Sequence, residues 1–131
     1  MVKSITPFLM FEGDAEAAMT FYVSLFADAR IETITRYDAN GPGKAGSVMV
    51  ATMSLNGQKL MCIDSAVKHN FTFTPAISLF VECDGAEEVD SLFQKLSDGG
   101  KVLMPLNAYP FAKRFGWVND RFGVSWQVRF A

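Results

Sequence analysis

The chain has 131 residues, 50% of them hydrophobic, with 12 phenylalanines and a formal net charge of −2. This length fits one domain, residues 1–131, and the composition excludes a disordered chain. There is no basic stripe that would bind nucleic acid, no apolar run long enough to cross a bilayer, and no signal-peptide pattern. We therefore expect a cytoplasmic protein without nucleic-acid or membrane partners.

The first half of the chain predicts a strand, a helix and three further strands. An apolar run at residues 7–11 favours a strand, and Asp14 follows it as a candidate N-cap for a helix from about residue 15. One buried helix stripe is predicted from apolar residues at helical spacing: Ala15, Ala18, Met19, Tyr22, Val23 and Phe26. Strand-like segments follow at residues 30–37, 46–55 and 59–64. Between the last two, Asn56-Gly57 predicts a tight hairpin.

The second half repeats this order. Asp84 is the candidate N-cap of a helix from about residue 85, which two glycines end at 99–100. Its predicted buried stripe is Val89, Leu92, Phe93 and Leu96. Three strands are predicted at residues 101–104, 114–119 and 124–130. The two cysteines, Cys62 and Cys83, both lie in apolar runs and are interpreted as buried reduced thiols.

The halves are diverged copies of one unit. Placing residues 7–31 over 77–101 aligns Leu9 with Leu79 and Asp14 with Asp84. We therefore predict an α+β fold built from two βαβββ repeats. The repeats are expected at about residues 4–65 and 74–131, with the best candidate linker at 65–74.

Two motifs carry a family resemblance. Residues 11–17 read Phe-Glu-Gly-Asp-Ala-Glu-Ala, and residues 120–127 read Asp-Arg-Phe-Gly-Val-Ser-Trp-Gln. With the duplication, they resemble the vicinal oxygen chelate superfamily, which includes glyoxalase I, extradiol dioxygenases and bleomycin-resistance proteins. The closer likeness is to its PhnB-like branch, whose members carry the family name 3-demethylubiquinone-9 3-methyltransferase. The resemblance implies that the two modules form a cup-shaped mixed β-sheet with the helices outside.

The same resemblance gives an expectation about metal. Metal-using members of the superfamily place His, Gln or Glu at four cup-facing strand positions. On this chain the positions fall at Pro7, Met61, Ile77 and Gln127. Only Gln127 could coordinate a hard divalent ion, and the single histidine, His69, lies in the predicted linker. We therefore expect no metal site and no cofactor.

The resemblance also implies a largely apolar cup. The residues expected to face it and to contact a ligand are Leu9, Phe11, Met61, Ile63, Ile77, Leu79, Trp117 and Gln127. Such a lining favours an apolar or aromatic ligand bound mainly by desolvation. Gln127 would orient this ligand, although a hydrogen bond from Gln127 to a neighbouring protein group is an equally open alternative.

Three functions stay open at this level. The favoured one is a metal-free small-molecule-binding protein of the glyoxalase/bleomycin-resistance fold. The second is an enzyme of the same superfamily with a non-standard site, of lyase, dioxygenase or transferase type, including the methyltransferase of the family name. The third is a structural or interaction module. Because apolar first strands invite pairing, we also expect a two-fold homodimer.

Overall fold

The computed structural model describes all residues 1–131, in two compact units, Met1–Thr72 and Phe73–Ala131. The first unit contains β1 (Phe8–Phe11), α1 (Ala15–Ser24), β2 (Ala29–Arg36), β3 (Val48–Leu55) and β4 (Gln58–Asp64). The second contains β5 (Leu79–Glu82), α2 (Ala86–Ser97), β6 (Lys101–Tyr109), β7 (Ala112–Asn119) and β8 (Ser125–Phe130). Each unit is therefore a βαβββ module, which confirms the predicted α+β fold class. Neither helix is long and apolar enough to cross a membrane.

Both units have the same sheet topology. The strand orders are β1-β4-β3-β2 and β5-β8-β7-β6, so the first strand of each unit pairs with the last. That pair is parallel, and the other pairs are antiparallel. Leu9 lies opposite Cys62 on β4, and Leu79 lies opposite Trp126 on β8. The two leucines aligned in sequence thus occupy equivalent places in the two sheets.

One face of each sheet is covered by the helix of its own unit. On β4 the residues Leu60, Cys62 and Asp64 are buried and alternate with the half-buried Met61 and Ile63. This period-two pattern is that of a sheet with one covered face. The buried residues of α1 are Ala15, Ala18, Met19 and Tyr22, and those of α2 are Val89, Leu92, Phe93 and Leu96. The predicted stripes supply these buried faces, although Val23 and Phe26 of the first stripe are only half-buried.

A glycine on β7 lets α2 approach the second sheet closely. A Cβ atom added to Gly116 would lie 2.4 Å from Cε1 of Phe93, far inside van der Waals contact. Phe93 is 5% exposed, so its ring has little room to move. The absence of a side chain at residue 116 therefore determines how α2 packs on the sheet.

We expect Gly116→Ala to lower the free energy of unfolding by about 1–3 kcal/mol, because the new methyl group overpacks the α2–sheet interface. Thermal or urea unfolding followed by circular dichroism would measure the loss. Gly85→Ala is the control, since nothing lies within 4 Å of a Cβ atom at that position. An equal loss in the two variants would show that the Phe93 contact is not the cause.

The way in which the two helices begin differs from the prediction made from the sequence. Helix α1 begins at Ala15 with Asp14 at its N-cap position, but the Asp14 side chain makes no capping hydrogen bond. Helix α2 begins at Ala86, and its N-cap residue is Gly85 rather than Asp84. The prediction that Asp14 and Asp84 cap the helices through their carboxylates is wrong.

At the start of α1, the capping hydrogen bonds are accepted instead by a carboxylate on a strand that is distant in sequence. Oδ1 of Asp64, at the end of β4, accepts hydrogen bonds from the backbone N–H of Gly13 (2.8 Å) and of Ala15 (3.0 Å). Its Oδ2 accepts one from the N–H of Val48 (3.0 Å), where β3 begins. Asp64 is 3% exposed. A single buried carboxylate therefore joins the start of the helix to two strands.

The connections agree with the sequence in part. Asn56 and Gly57 have φ angles of 51° and 87° and form the predicted hairpin between β3 and β4. Strand β6, however, continues to Tyr109, five residues beyond its predicted end, with several register shifts along its pairing with β7.

Candidate functional site

One face of the second sheet is covered by α2, and the other face, which is turned away from α2, is called here the second open face. The chemically distinctive side chains of the protein lie on this second open face. The pairing register identifies its members. Gln127 on β8 lies between Phe80 on β5 and Trp117 on β7, and Arg129 lies between Glu82 and Phe115. These residues alternate with Val118, Trp126 and Val128, which are at most 1% exposed on the helix side. The second open face therefore carries aromatic, amide and charged groups together.

A chain of hydrogen bonds crosses this face. Nε2 of Gln127 donates to Oγ of Ser78 (3.2 Å), and Oγ of Ser78 lies 2.6 Å from Oγ of Ser125. Nε1 of Trp117 donates to the same Ser125 oxygen (2.9 Å). The amide of Gln127 is half-buried and held from one side, while no protein group donates to its Oε1. Gln127 thus presents a fixed hydrogen-bond acceptor on the second open face.

Aromatic rings lie beside this polar chain. Phe80 is 48% exposed, and its ring centroid is 6.4 Å from that of the buried Phe115. Phe115 is in turn packed edge-on by Tyr109 (5.6 Å) and Phe111 (4.9 Å). This packing fixes Phe115, so the exposed ring of Phe80 lies next to a ring that cannot move freely. A planar apolar group could stack on it.

An ion pair between Arg129 and Glu82 lies next to the ring of Phe80. The guanidinium of Arg129 lies over the Phe80 ring, 5.1 Å from its centroid, and its Nη2 donates to Oε1 of Glu82. The hydrogen bond that Arg129 donates to Glu82 raises the pKa of Arg129 above its ordinary value, so the guanidinium stays charged. The charges of Arg129 and Glu82 therefore offset each other beside Phe80.

Of the eight residues predicted to contact a ligand, four lie on open faces. Trp117 and Gln127 lie side by side on the second open face. Met61 and Ile63 lie on the corresponding face of the first sheet, next to Phe8 and Met10 of β1. That first open face is apolar at these four positions. It offers no amide comparable with Gln127.

The other four residues do not lie where the sequence placed them. Leu9 and Phe11 pair with Cys62 and Asp64 and share their helix-covered face, and Leu79 likewise shares the face of Trp126. Ile77 precedes β5 altogether and is 76% exposed. The prediction that these residues face the same side as Met61, Ile63 and Gln127 is wrong. A shift of one residue along a strand moves a side chain to the opposite face, and Leu9, Phe11 and Leu79 each lie one residue away from an outward-facing position.

Sequence reasoning missed the true neighbours of Gln127. Ser78 and Phe80 were not among the residues predicted to contact a ligand, yet Ser78 bonds Gln127 and Phe80 is 48% exposed. Alternation along β5 could not have found them by itself, because it gives the face of Ser78 and Phe80 only once the face of Leu79 is known. If Leu79 faces the helix, Ser78 and Phe80 must face away from it.

The donors present do not suit the divalent metal of the wider superfamily. The open-face donors nearest Gln127 are two serine hydroxyls and its own amide, and they already bond one another. Divalent ions in proteins are held chiefly by carboxylate and other oxygen ligands or, for zinc and the transition metals, also by imidazoles and thiolates. No group of three His, Cys, Asp or Glu side chains in the chain could hold an ion. His69 bonds Ser65 (2.8 Å) in the segment between the units' sheets.

The cysteines agree with their interpretation from sequence. Cys62 and Cys83 are both buried and unpaired. Burial raises the pKa of each thiol to about 12, so neither is a thiolate near neutral pH. They act as small apolar core groups and carry no chemistry at the site.

Two clefts lie away from the second open face. One of about 400 Å³ borders the start of α1 and is lined by Gly13, Glu16, Lys44 and Asp64, among others. A shallower groove of about 760 Å³ runs beside α2 and is lined by polar residues including Asp90 and Gln94. None of the residues predicted to contact a ligand lines either cleft.

The family model described as 3-demethylubiquinone-9 3-methyltransferase matches residues 3–129, nearly the whole chain. The chain belongs to this family. Its resemblance to the PhnB-like branch, inferred above from two motifs, is thereby confirmed. A comparison with curated proteins found no match.

Solved structures of family members and of more distant proteins resemble this one. A PhnB protein from Bacillus cereus, provisionally named as a 3-demethylubiquinone-9 3-methyltransferase, is 61% identical with a TM-score of 0.95, over 98% of this chain and 100% of that one. Protein PA1353 from Pseudomonas aeruginosa is 28% identical with a TM-score of 0.84, over 98% of both chains. The fosfomycin resistance protein FosX from Listeria monocytogenes, solved with Mn(II) and a phosphonic acid, is 13% identical with a TM-score of 0.63, over 100% of this chain and 94% of that one. At that identity FosX shows the shared glyoxalase/bleomycin-resistance fold alone.

The methyltransferase of the family name would need a methyl donor such as S-adenosylmethionine. Proteins that bind nucleotide-like cofactors commonly use a Gly-rich loop between a parallel strand and a helix N-terminus. Here the link from β1 to α1 contains one glycine, Gly13, and the N–H groups of Gly13 and Ala15 already bond the carboxylate of Asp64. The residues at this position therefore do not fit that donor, and the family name does not assign a reaction to this chain.

Proposed function

We propose that this member of the family is a small-molecule-binding protein that needs no metal. Its ligand is a planar aromatic or apolar group that lies on the second open face, against Phe80 and Trp117. Gln127 orients this ligand by accepting one hydrogen bond. Binding comes mainly from removing apolar surface from water, as in most small-molecule sites.

The observation that carries the proposal is the half-satisfied amide of Gln127. Its Nε2 is held by Ser78, and its Oε1 has no protein donor although exposed Phe80 lies directly beside it. A positioned acceptor next to an exposed aromatic ring matches a ligand that carries both an apolar plane and an N–H or O–H donor. The alternative weighed from the sequence, a bond from Gln127 to a neighbouring protein group, accounts for one end of the amide only.

The test uses 1-naphthol, which has an aromatic plane and one hydroxyl donor, and isothermal titration calorimetry. We expect 1-naphthol to bind the wild-type protein, and Gln127→Leu to raise its Kd by about three- to tenfold, the range for one neutral hydrogen bond. The stability of Gln127→Leu should stay within about 0.5 kcal/mol of wild type, since Ser78 keeps its bond to Ser125.

Gln94→Leu is the matched control, because Gln94 is exposed on α2, on the opposite side of the same sheet. It should leave the Kd unchanged, and so should a chelator added to the wild-type protein. No binding of 1-naphthol, or the same weakening in both leucine variants, would contradict the proposal. A loss of binding with chelator would contradict its metal-free part.

A further inference from the structure

The ion pair on the second open face lies within reach of any ligand bound at Gln127. Arg129 follows Gln127 by two residues on the same face of β8, a separation of about 7 Å along the strand. Its guanidinium lies over Phe80, the ring against which the ligand is proposed to stack. The net charge of the Arg129–Glu82 ion pair therefore affects directly which ligands can bind.

Glu82 offsets the positive charge of Arg129. Its side chain is 50% exposed and bonds Nη2 of Arg129, whose own side chain is 30% exposed. The Nε atom of Arg129 is buried and has no hydrogen-bond partner. The guanidinium is thus partly enclosed by Phe80 and Glu82. A ligand that carries a carboxylate would meet the Glu82 carboxylate beside the cation that could bind it.

We propose that Glu82 is a specificity-determining residue, which makes the site prefer uncharged aromatic ligands over aromatic anions by holding Arg129 paired against Phe80. This inference rests on the proposed function, since it concerns the ligand of the same face. It deepens that function by naming the ligand class: an uncharged planar molecule with one hydrogen-bond donor. Removing the negative charge of Glu82 should free Arg129 to pair with an anion.

The experiment compares two probes of the same size, 1-naphthol and 1-naphthoate, by calorimetry at neutral pH. Wild-type protein should bind 1-naphthol more tightly than 1-naphthoate. In Glu82→Gln the affinity for 1-naphthoate should rise by about tenfold, as expected when a carboxylate gains a charged hydrogen bond. The affinity for 1-naphthol should change less than about twofold in this variant, because the ligand hydroxyl meets Gln127 and not Glu82.

Two controls separate the role of Glu82 from general charge. Glu87→Gln removes the same charge from the exposed first turn of α2 and should not change either affinity. The double variant Glu82→Gln/Arg129→Met should lose the gain for 1-naphthoate. Since the double variant differs from Glu82→Gln only at residue 129, this loss would identify Arg129 as the cation that binds 1-naphthoate, even if Glu82→Gln is less stable than wild type.

The outcomes distinguish this inference from the function beneath it. If neither probe binds the wild-type protein, the proposed function is contradicted and the inference fails with it. If 1-naphthol binds and weakens in Gln127→Leu, but Glu82→Gln leaves the ratio of the two affinities unchanged, the proposed function stands and the role of Glu82 is overturned. An equal gain in Glu87→Gln would overturn it as well.

Discussion

Replacing Asp64 with alanine is expected to lower the free energy of unfolding by about 3 kcal/mol, because three backbone N–H groups lose their acceptor. Those groups belong to Gly13, Ala15 and Val48, and two of the three bonds are fully buried. Without the carboxylate, the N–H groups at the start of α1 and at the start of β3 stay shielded from water but have no hydrogen-bond acceptor to offset the cost of desolvation. Urea unfolding followed by far-ultraviolet circular dichroism would measure the loss.

Asp14→Ala is the matched control for Asp64→Ala. Asp14 lies at the N-cap of the same helix and is exposed, but its side chain makes no capping hydrogen bond. Only its interaction with the helix dipole is lost, so the change should stay below about 0.5 kcal/mol. Equal losses in the two variants would show that Asp64 is not the group that holds the helix start.

In the second unit, Asp120→Ala is expected to cost a similar amount, about 3 kcal/mol, through loss of a different buried network. Oδ1 of Asp120 accepts from the backbone N–H of Phe122 (2.8 Å) and Val124 (3.1 Å), and Oδ2 accepts from Nε1 of Trp126 (2.9 Å). Trp126 is 1% exposed, so its indole N–H would be left buried without this acceptor.

Asp98→Ala is the control for Asp120→Ala, since Asp98 is exposed at the end of α2 and makes no buried contact of this kind. The unfolding midpoint can be followed by tryptophan fluorescence, because both tryptophans, Trp117 and Trp126, lie in the second unit. An Asp120→Ala protein as stable as Asp98→Ala would mean that the turn before β8 forms without its carboxylate.

Local sequence signals predicted the elements well because each depends on neighbours in the chain. The helical spacing of Met19 and Tyr22 placed α1, and Asn56-Gly57 placed the β3–β4 hairpin. The signal for β6 stopped early because Pro105 and Asn107 are poor strand formers. Strand β6 tolerates them because it lies at the sheet edge, where a missing ladder hydrogen bond costs little.

Features that depend on distant contacts were not predictable in the same way. The helix start at Ala15 was placed correctly, but its acceptor is Asp64, which is remote in sequence and reaches the helix only through the sheet. The candidate site failed similarly for Leu9 and Leu79. Which face a strand residue occupies depends on its register with β4 or β8, and no local pattern in a four-residue strand gives that register.

Gln127 and Trp117 lie on the outward face of β8 and β7, and the long alternation on these two strands leaves little freedom there. Gly116, Val118, Trp126 and Val128 must face α2, so their neighbours in sequence must face away. The central claim concerns that outward face: a small aromatic ligand binds there and not on the helix side.

The most direct measurement is a ¹H–¹⁵N spectrum of the protein during a titration with 1-naphthol. Trp117 and Trp126 lie on opposite faces of one sheet, and each indole N–H bonds a different acceptor, Ser125 and Asp120. The account predicts saturable shifts of the Trp117 indole signal and of the Gln127 side-chain amide, with the Trp126 indole signal nearly unmoved. Shifts at Trp126 with none at Gln127, or shifts confined to residues of the first unit, would contradict it.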